Sequence, residues 1–337
     1  MADPMGRDQP SKVQLPAPGE TRPATSPYDL SGPFQPITLE GESERSQAAT
    51  LNRGVPIITA GVLFALSLPD GQVFDEQSPD GIPPKIIAWS LRRNENFIAD
   101  TYSPAMEDAM RSGYGVAARA LERGGISSTW LSVREQLDTF TATRSGELLA
   151  SMTRQQRLAM RAILRQYLYE EPVAPRILSR LVRDTAGLTE RQALSLVRLR
   201  QALMEEGLPA SVIERQVSLR ADSLARYRAD MIARTELVSA HAQAQYATVQ
   251  QAVDLGYYAG EQVVKRWITA EDERVCSTCG ALGGWYPQPG GELAQAQEGG
   301  TVIPLDDTFP GPANQGPTLV PPIHPNCRCV VVYETVS

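Results

Sequence analysis

Trp267-Ile-Thr-Ala-Glu-Asp272-Glu-Arg274-Val-Cys276-Ser-Thr-Cys279-Gly280 and Pro321-Pro322-Ile-His324-Pro325-Asn326-Cys327-Arg328-Cys329 are the two halves of the passage on which the fold turns. All four cysteines and one of the two histidines of the chain fall inside them. Cys276 and Cys279 have the C-x-x-C spacing that lets two thiolates grip one tetrahedral ion from a tight turn. His324, Cys327 and Cys329 form the second cluster. A structural zinc ion takes four ligands, so one of the five donors is surplus. The expected set is Cys276, Cys279, Cys327 and one of His324 or Cys329, with Zn–S distances of about 2.3 Å. Two other readings stay open: disulfides, among which a Cys327–Cys329 bond would be strained by its short spacing, and free buried thiols.

Apolar alternation on either side of the cysteines predicts strands. Val263–Thr269 precedes them, and Val330–Tyr333 follows. Pairing these two strands draws the sulfur-rich corners together as a β-ribbon resembling a zinc knuckle. The Pro/Gly-rich segment 287–322 is read as a protruding loop, too polar for a core and so a contact surface.

Upstream, the pattern is mainly α. Residues 146–260 read as a helical region. Met160, Ile163, Leu164, Tyr167 and Leu168 share one helical face. Thr153-x-x-Gln156, Thr189-x-x-Gln192 and Ser211-x-x-Glu214 have capping spacing. Gly207 and Gly256 close helices, the second ending a long one from about Leu224. Residues 51–145 read as a small region: Val55–Leu68 as a buried strand or hairpin before the Asp70-Gly71 turn, then helices from Lys85 broken by Gly113, Gly115 and Gly124-Gly125. Trp89, Phe97, Trp130, Leu131 and Leu137 are its expected anchors. Residues 1–50, rich in Pro, Ser, Gly, Gln and Thr, read as an extended or disordered arm. Residues 261–337 are the cysteine module.

Composition narrows the function classes. The formal net charge is −7, and 42% of residues are apolar, which disfavours a DNA-coating protein and permits a real core. The basic residues are nearly all arginine; Lys12, Lys85 and Lys265 are the lysines. No signal peptide is expected from the first residues, and Val55–Leu68 is too short to span a bilayer, so no membrane is expected. Catalysis has little support. The deaminase order of His-x-Glu before Pro-Cys-x-x-Cys is missing, and so is a nucleophile elbow.

Ile232-Ala233-Arg234-Thr235-Glu236, then Trp267, then Asp272-x-Arg274-Val275-Cys276-x-x-Cys279, then His324-Pro325-Asn326-Cys327-Arg328-Cys329 occur in an order that resembles the phage Mu F-like head-morphogenesis family, minor head proteins of tailed bacteriophages. The likeness covers the C-terminal third well and the preceding helices loosely. It implies a minor capsid protein and does not imply catalysis; with the catalytic motifs missing, no enzyme is expected. It implies contact with the portal and other capsid proteins, and with packaged DNA in the head interior. It places the protein in the virion, and in the host cytoplasm during assembly. The rival reading is a zinc-ribbon nucleic-acid-binding protein using Lys265, Arg266, Arg274 and Arg328. Arg234 and Glu236 do not share a helix face; they are expected to pin their helix to the cysteine module through Asp272 or Arg274. His241 is read as structural.

Overall fold

In the computed structural model, Phe34–Pro36 forms a short strand, β1, and Glu40–Leu66 a 27-residue helix, α1. The residues described are 34–36, 40–68, 84–170, 173, 175–258, 262–270, 272, 274–287, 293–295, 300–312 and 316–336. Helix α2 spans Pro84–Phe97 and runs through a π-helical turn, Ile98–Tyr102, into α3, Ser103–Arg123. Helix α4 is Trp130–Arg165, α5 is Pro175–Thr185, α6 is Glu190–Glu205 and α7 is Ala210–Asp254. The C-terminal module holds β2 (Gln262–Ile268), α8 (Ser277–Leu282), β3 (Trp285–Pro287), β4 (Leu293–Gln295), β5 (Val302–Pro304) and β6 (Val330–Val336). The chain is mainly α with a small antiparallel sheet at its C-terminal end, as the sequence predicts.

Helix α7 organises the molecule. Its 45 residues extend about 68 Å at about 1.5 Å each, and three cores are strung along it. Ile213, Val217 and Ala221 pack with Met160, Ile163 and Leu164 of α4, Val182 of α5 and Leu196 of α6. One stretch further on, Ala229, Ala233, Leu237, Ala240, Ala244 and Ala247 face α1 and α3. Val249 and Ala252 then meet the sheet. The alanines repeat every three or four residues, so one narrow face of α7 stays small and its neighbours come close. At Gly113 of α3, an added Cβ would lie only 2.1 Å from the His241 carbonyl oxygen of α7.

Several expectations require correction. Val55–Leu68 is not a strand or hairpin: it belongs largely to α1, which begins ten residues inside the expected arm. Val55, Ile58, Val62 and Ala65 are buried at helical spacing against α3 and α7, whereas Pro56 lies on the exposed face. A run of closely spaced apolar residues satisfies both periods, and burial on one side only decides for the helix. By length and composition α1 could cross a membrane, but these apolar positions are in the protein core. Within the arm, β1 is described and pairs with β6; residues 1–33 lie outside the described residues, as does the Asp70-Gly71 turn.

The capping signals divide. Thr189 makes the predicted capping box, with Gln192 N donating to its Oγ1 (3.3 Å) and its own N–H donating to Gln192 Oε1 (3.0 Å). Gly207 and Gly256 adopt positive φ (72° and 79°) where α6 and α7 end. Thr153 and Gln156, however, lie inside α4. The buried Gln156 amide donates to Leu66 O (3.1 Å) and accepts from Asn94 Nδ2 (3.2 Å), tying α1, α2 and α4 together. Ser211 does not cap α7, whose N-cap is Pro209; Glu214 instead pairs with the buried Arg200 at 3.2 Å. Gly113 and Gly115 do not break α3, while Gly124-Gly125 do end it. Phe97 and Leu137 are core and Trp89 and Trp130 half-buried, but Leu131 is 75% exposed.

The main sheet has strand order β1-β6-β2-β5, with antiparallel pairing throughout. The predicted pairing of the two cysteine-flanking strands is present, from Gln262↔Val336 to Ile268↔Val330. Segment 287–322 is not a protruding loop where it is described. It supplies β5 to the sheet, and Phe309 is fully buried with its ring 4.9 Å from that of Trp267, edge to face. Leu305, Phe309 and Val320 of the segment are buried, and Val302, Ile303 and Leu319 half-buried; average polarity hid them. Residues 288–292, 296–299 and 313–315 of that segment lie outside the described residues.

Candidate metal centre

The register Ile268↔Val330 brings the end of β2 beside the start of β6, and so places the two cysteine corners at the same end of the sheet. Cys276 is the N-cap of α8, and its Sγ accepts from Cys279 N at 3.3 Å. That bond folds C-x-x-C into one turn with both sulfurs on the same side. The opposite corner is a tight turn in which Cys327 N donates to His324 O at 3.2 Å. Asn326 takes a positive φ of 63° there, a conformation asparagine tolerates well. Its N–H donates to Thr235 Oγ1 of α7 at 3.1 Å. From the other side, Gln47 of α1 donates to Cys329 O at 3.1 Å.

Five donors therefore converge. His324 Nε2 lies 3.1 Å from Cys276 Sγ and 3.1 Å from Cys279 Sγ. Cys279 Sγ lies 3.8 Å from Cys327 Sγ. The ligand atoms form two overlapping triads, Cys276/Cys279/His324 and Cys279/Cys327/Cys329, each within 4.8 Å and sharing Cys279. All four cysteines are free thiols, so the disulfide reading is not the one realised. A zinc tetrahedron with arms of about 2.3 Å has edges of about 3.8 Å between sulfurs, which the Cys279–Cys327 separation matches. The histidine is set up correctly as well. Its Nδ1 lies 2.8 Å from Pro325 O; a proton held there leaves the Nε2 lone pair aimed at the sulfurs. Crowding shows in the thiol acidities. Cys279 is pushed far above the ordinary thiol value by its hydrogen bonds to Cys327 and Cys329 and by burial. Cys327 is drawn well below that value, chiefly by its hydrogen bond with Cys279. A cation between the sulfurs removes that competition, because a coordinating thiol is deprotonated outright.

A clamp closes over the cluster. Arg328, between the last two cysteines, donates to both oxygens of Asp272 (2.6 and 2.5 Å), and Arg274 reaches Asp272 at 3.1 Å. Arg328 holds the Asp272 carboxyl below the usual carboxylate range, with Arg274 assisting. Opposite charges flanking the two corners were the signal for this pair. The expected pinning through Arg234 and Glu236 is corrected. Arg234 is exposed. Glu236 is buried and accepts from Arg144 Nε (2.8 Å), Arg144 Nη2 (2.9 Å) and Tyr102 Oη (2.8 Å), so it ties α7 to α4 and to the turn before α3. Thr235, between them, is the residue that reaches the cysteine module. His241 is fully buried with Nε2 3.0 Å from Ser46 Oγ, and burial lowers its pKa to about 4.

The basic residues around the cysteines are committed elsewhere. Lys265 is fully buried, its ammonium 5.3 Å from the Tyr246 ring and 5.6 Å from the Phe309 ring, and burial lowers its pKa to about 8. Arg266 pairs with Glu334 at 2.7 Å. Of the four residues in the nucleic-acid reading, Arg274 is the one that remains widely exposed.

A helical body carrying a Cys/His-clustered antiparallel module is thus the class the fold and site define. Residues 196–332 match the family model described as Phage Mu protein F like protein, the family that the motifs resemble. The match begins within α6, takes in α7 and the whole cysteine cluster, and ends within β6. No curated protein and no solved structure matches the chain.

Proposed function

We propose that the protein is a structural component of a tailed-phage head, a minor head protein that contacts the portal and other capsid proteins during head assembly, with one zinc ion bracing its C-terminal module. The observation that carries this reading is the coincidence of the family match with the convergent cluster: the matched span contains both sulfur corners and the helix that holds them. The ligands are Cys276, Cys279, His324 and Cys327. Cys327 takes the fourth place because its Sγ lies 3.8 Å from Cys279 Sγ; Cys329, which groups with Cys279 and Cys327, stands behind the site as the surplus thiol. The ion supplies cross-linking of two corners 48 residues apart (Cys276 and His324), adding to the apolar core that Trp267 and Phe309 share with Val249 and Ala252 of α7. The role is structural rather than catalytic. Both histidines are engaged, His324 with two thiols and a carbonyl and His241 beneath Ser46, so neither stands ready as a general base.

Two measurements test the two parts. Elemental analysis of purified protein is expected to find one zinc per chain, retained in Cys329→Ser and lost in Cys279→Ser. Metal-free protein with four titratable thiols and unchanged stability under chelator overturns the zinc assignment. Quantitative mass spectrometry of purified heads is expected to find the chain at a few copies per particle. Its complete absence from heads and from portal-containing assembly intermediates overturns the head-protein role.

A further inference from the structure

Arg228 of α7 is a buried cation without a counter-charge. It is 4% exposed, its Nη1 donates to Gly187 O at 2.8 Å, and no carboxylate pairs with it among the described residues. Burial lowers its pKa to about 10, and no neighbouring charge opposes the shift. The carbonyl it holds lies just beyond the end of α5, and a helix dipole offsets only about half a unit charge. Arg200, the other buried arginine among the described residues, does have its carboxylate in Glu214. Buried charges are ordinarily paired, so Arg228 stands apart.

Arg228 also lines an open cleft of about 380 Å³ between α4 and α7. Leu148 and Met152 of α4 face Met231 and Ile232 of α7 across it, each pair at helical spacing, and give it an apolar lining. At the far end Arg144 is shared by Glu236 (2.8 Å) and Glu147 (3.3 Å), so that end carries one negative charge in excess. Arg228 and Glu236 stand two helical turns apart on α7, about 12 Å along its axis.

We infer that this cleft is a binding site for a small monocarboxylic acid with an apolar body, the Arg228 guanidinium taking the carboxylate and the hydrocarbon lying along Met231, Ile232, Leu148 and Met152. A guanidinium fork matches the two oxygens of a carboxylate, and an anion there supplies the charge that the fold leaves out. One negative charge suits the site and two do not, because the cleft already holds Glu147 and Glu236 against a single shared Arg144; a phosphate dianion would meet that excess. The volume is at the small end for ligand sites, and charged residues stand at both ends, which fits a short molecule rather than a continuing chain. The site is built from α4 and α7, with Pro325 also in its wall, and needs neither zinc nor a head-protein role.

The test is an NMR titration of the isotopically labelled full-length protein, as purified, with hexanoate, followed through the arginine Nε–H resonances. A ligand of this size is expected to bind with a dissociation constant on the order of 1 mM. Hexanamide, the same shape without the charge, is expected to bind at least about 10-fold more weakly, since a hydrogen-bonded charge is removed. Acetate, which lacks the apolar body, is expected to be weaker too. Arg228→Met keeps helix propensity and is expected to abolish the preference for hexanoate over hexanamide. Where that variant fails to fold, Arg228→Lys takes its place; it keeps the charge, loses the fork, and is expected to weaken hexanoate by about 5-fold. An arginine that serves only to hold Gly187 O would change stability and leave the acid-over-amide preference untouched. No binding of hexanoate at about ten times the expected constant, equal binding of hexanamide, tighter binding of inorganic phosphate, tighter binding of the peptide Ala-Ala-Ala-Leu, or an unchanged preference in the folded Arg228 variant overturns the assignment.

Discussion

Gly113→Ala is expected to destabilise the protein although it improves a helix. Alanine is favoured over glycine inside a helix by about 1 kcal/mol, and Gly113 lies inside α3. The new Cβ, however, would stand 2.1 Å from the His241 carbonyl oxygen and 2.9 Å from its carbonyl carbon, both backbone atoms of α7. No rotamer relieves such a contact, so α3 must retreat from α7 by about 1 Å. A gap of that size forfeits a quarter to a half of the attraction at each contact along the seam. Met106, Ala109 and Met110 of α3 and Leu237, Ala240 and Ala244 of α7 line that seam. Overpacking of this kind costs about 3 kcal/mol, leaving a net loss of about 2 kcal/mol after the helix gain. At about 2–4 °C per kcal/mol, the midpoint of thermal unfolding falls by about 4–8 °C. Gly146→Ala is the control. It makes the same chemical change inside α4, where the added Cβ meets nothing within 4 Å, and is expected to stabilise by about 0.5–1 kcal/mol. Urea unfolding of the two variants beside the parent decides the matter: if Gly113→Ala proves as stable as Gly146→Ala, the close approach of α3 to α7 is wrong.

Other outcomes follow from the same cores. Glu236→Ala leaves Tyr102 Oη and both nitrogens of the Arg144 fork without their acceptor. Arg144 is one-third exposed and also reaches Glu147, so the loss belongs at the low end for a broken buried pair, about 3 kcal/mol, measurable as a drop in the urea midpoint with the slope unchanged. His241 is held neutral, its pKa lowered by burial from 6.5 to about 4. The unfolded chain therefore binds the extra proton first, and stability present above about pH 6.5 is lost as pH falls towards 4. The loss amounts to about 3 kcal/mol over that window. A His241→Gln protein is expected to lack that part of the acid sensitivity when its stability is followed by denaturant titration between pH 7 and pH 4.5.

Spacing alone carried much of the candidate site. C-x-x-C and His-x-x-Cys-x-Cys are local patterns whose donors are brought together by single turns, and the alternating residues beside them predict the β2–β6 pair that joins the corners. Thr189-x-x-Gln192 likewise needs nothing beyond its own turn. What sequence order left undecided depended on partners distant along the chain. Thr153-x-x-Gln156 and Ser211-x-x-Glu214 have the same spacing as a true capping box, yet Gln156 reaches Asn94 and Leu66, and Glu214 reaches Arg200. Glu236 is held by Arg144, 92 positions away, rather than by the charges beside the cysteines. The apolar run of α1 fits strand and helix equally until α3 and α7 bury one side of it. Local geometry is written in neighbouring residues because one turn realises it. Which face is buried, and which buried charge finds which counter-charge, is decided only when the helices have packed along α7.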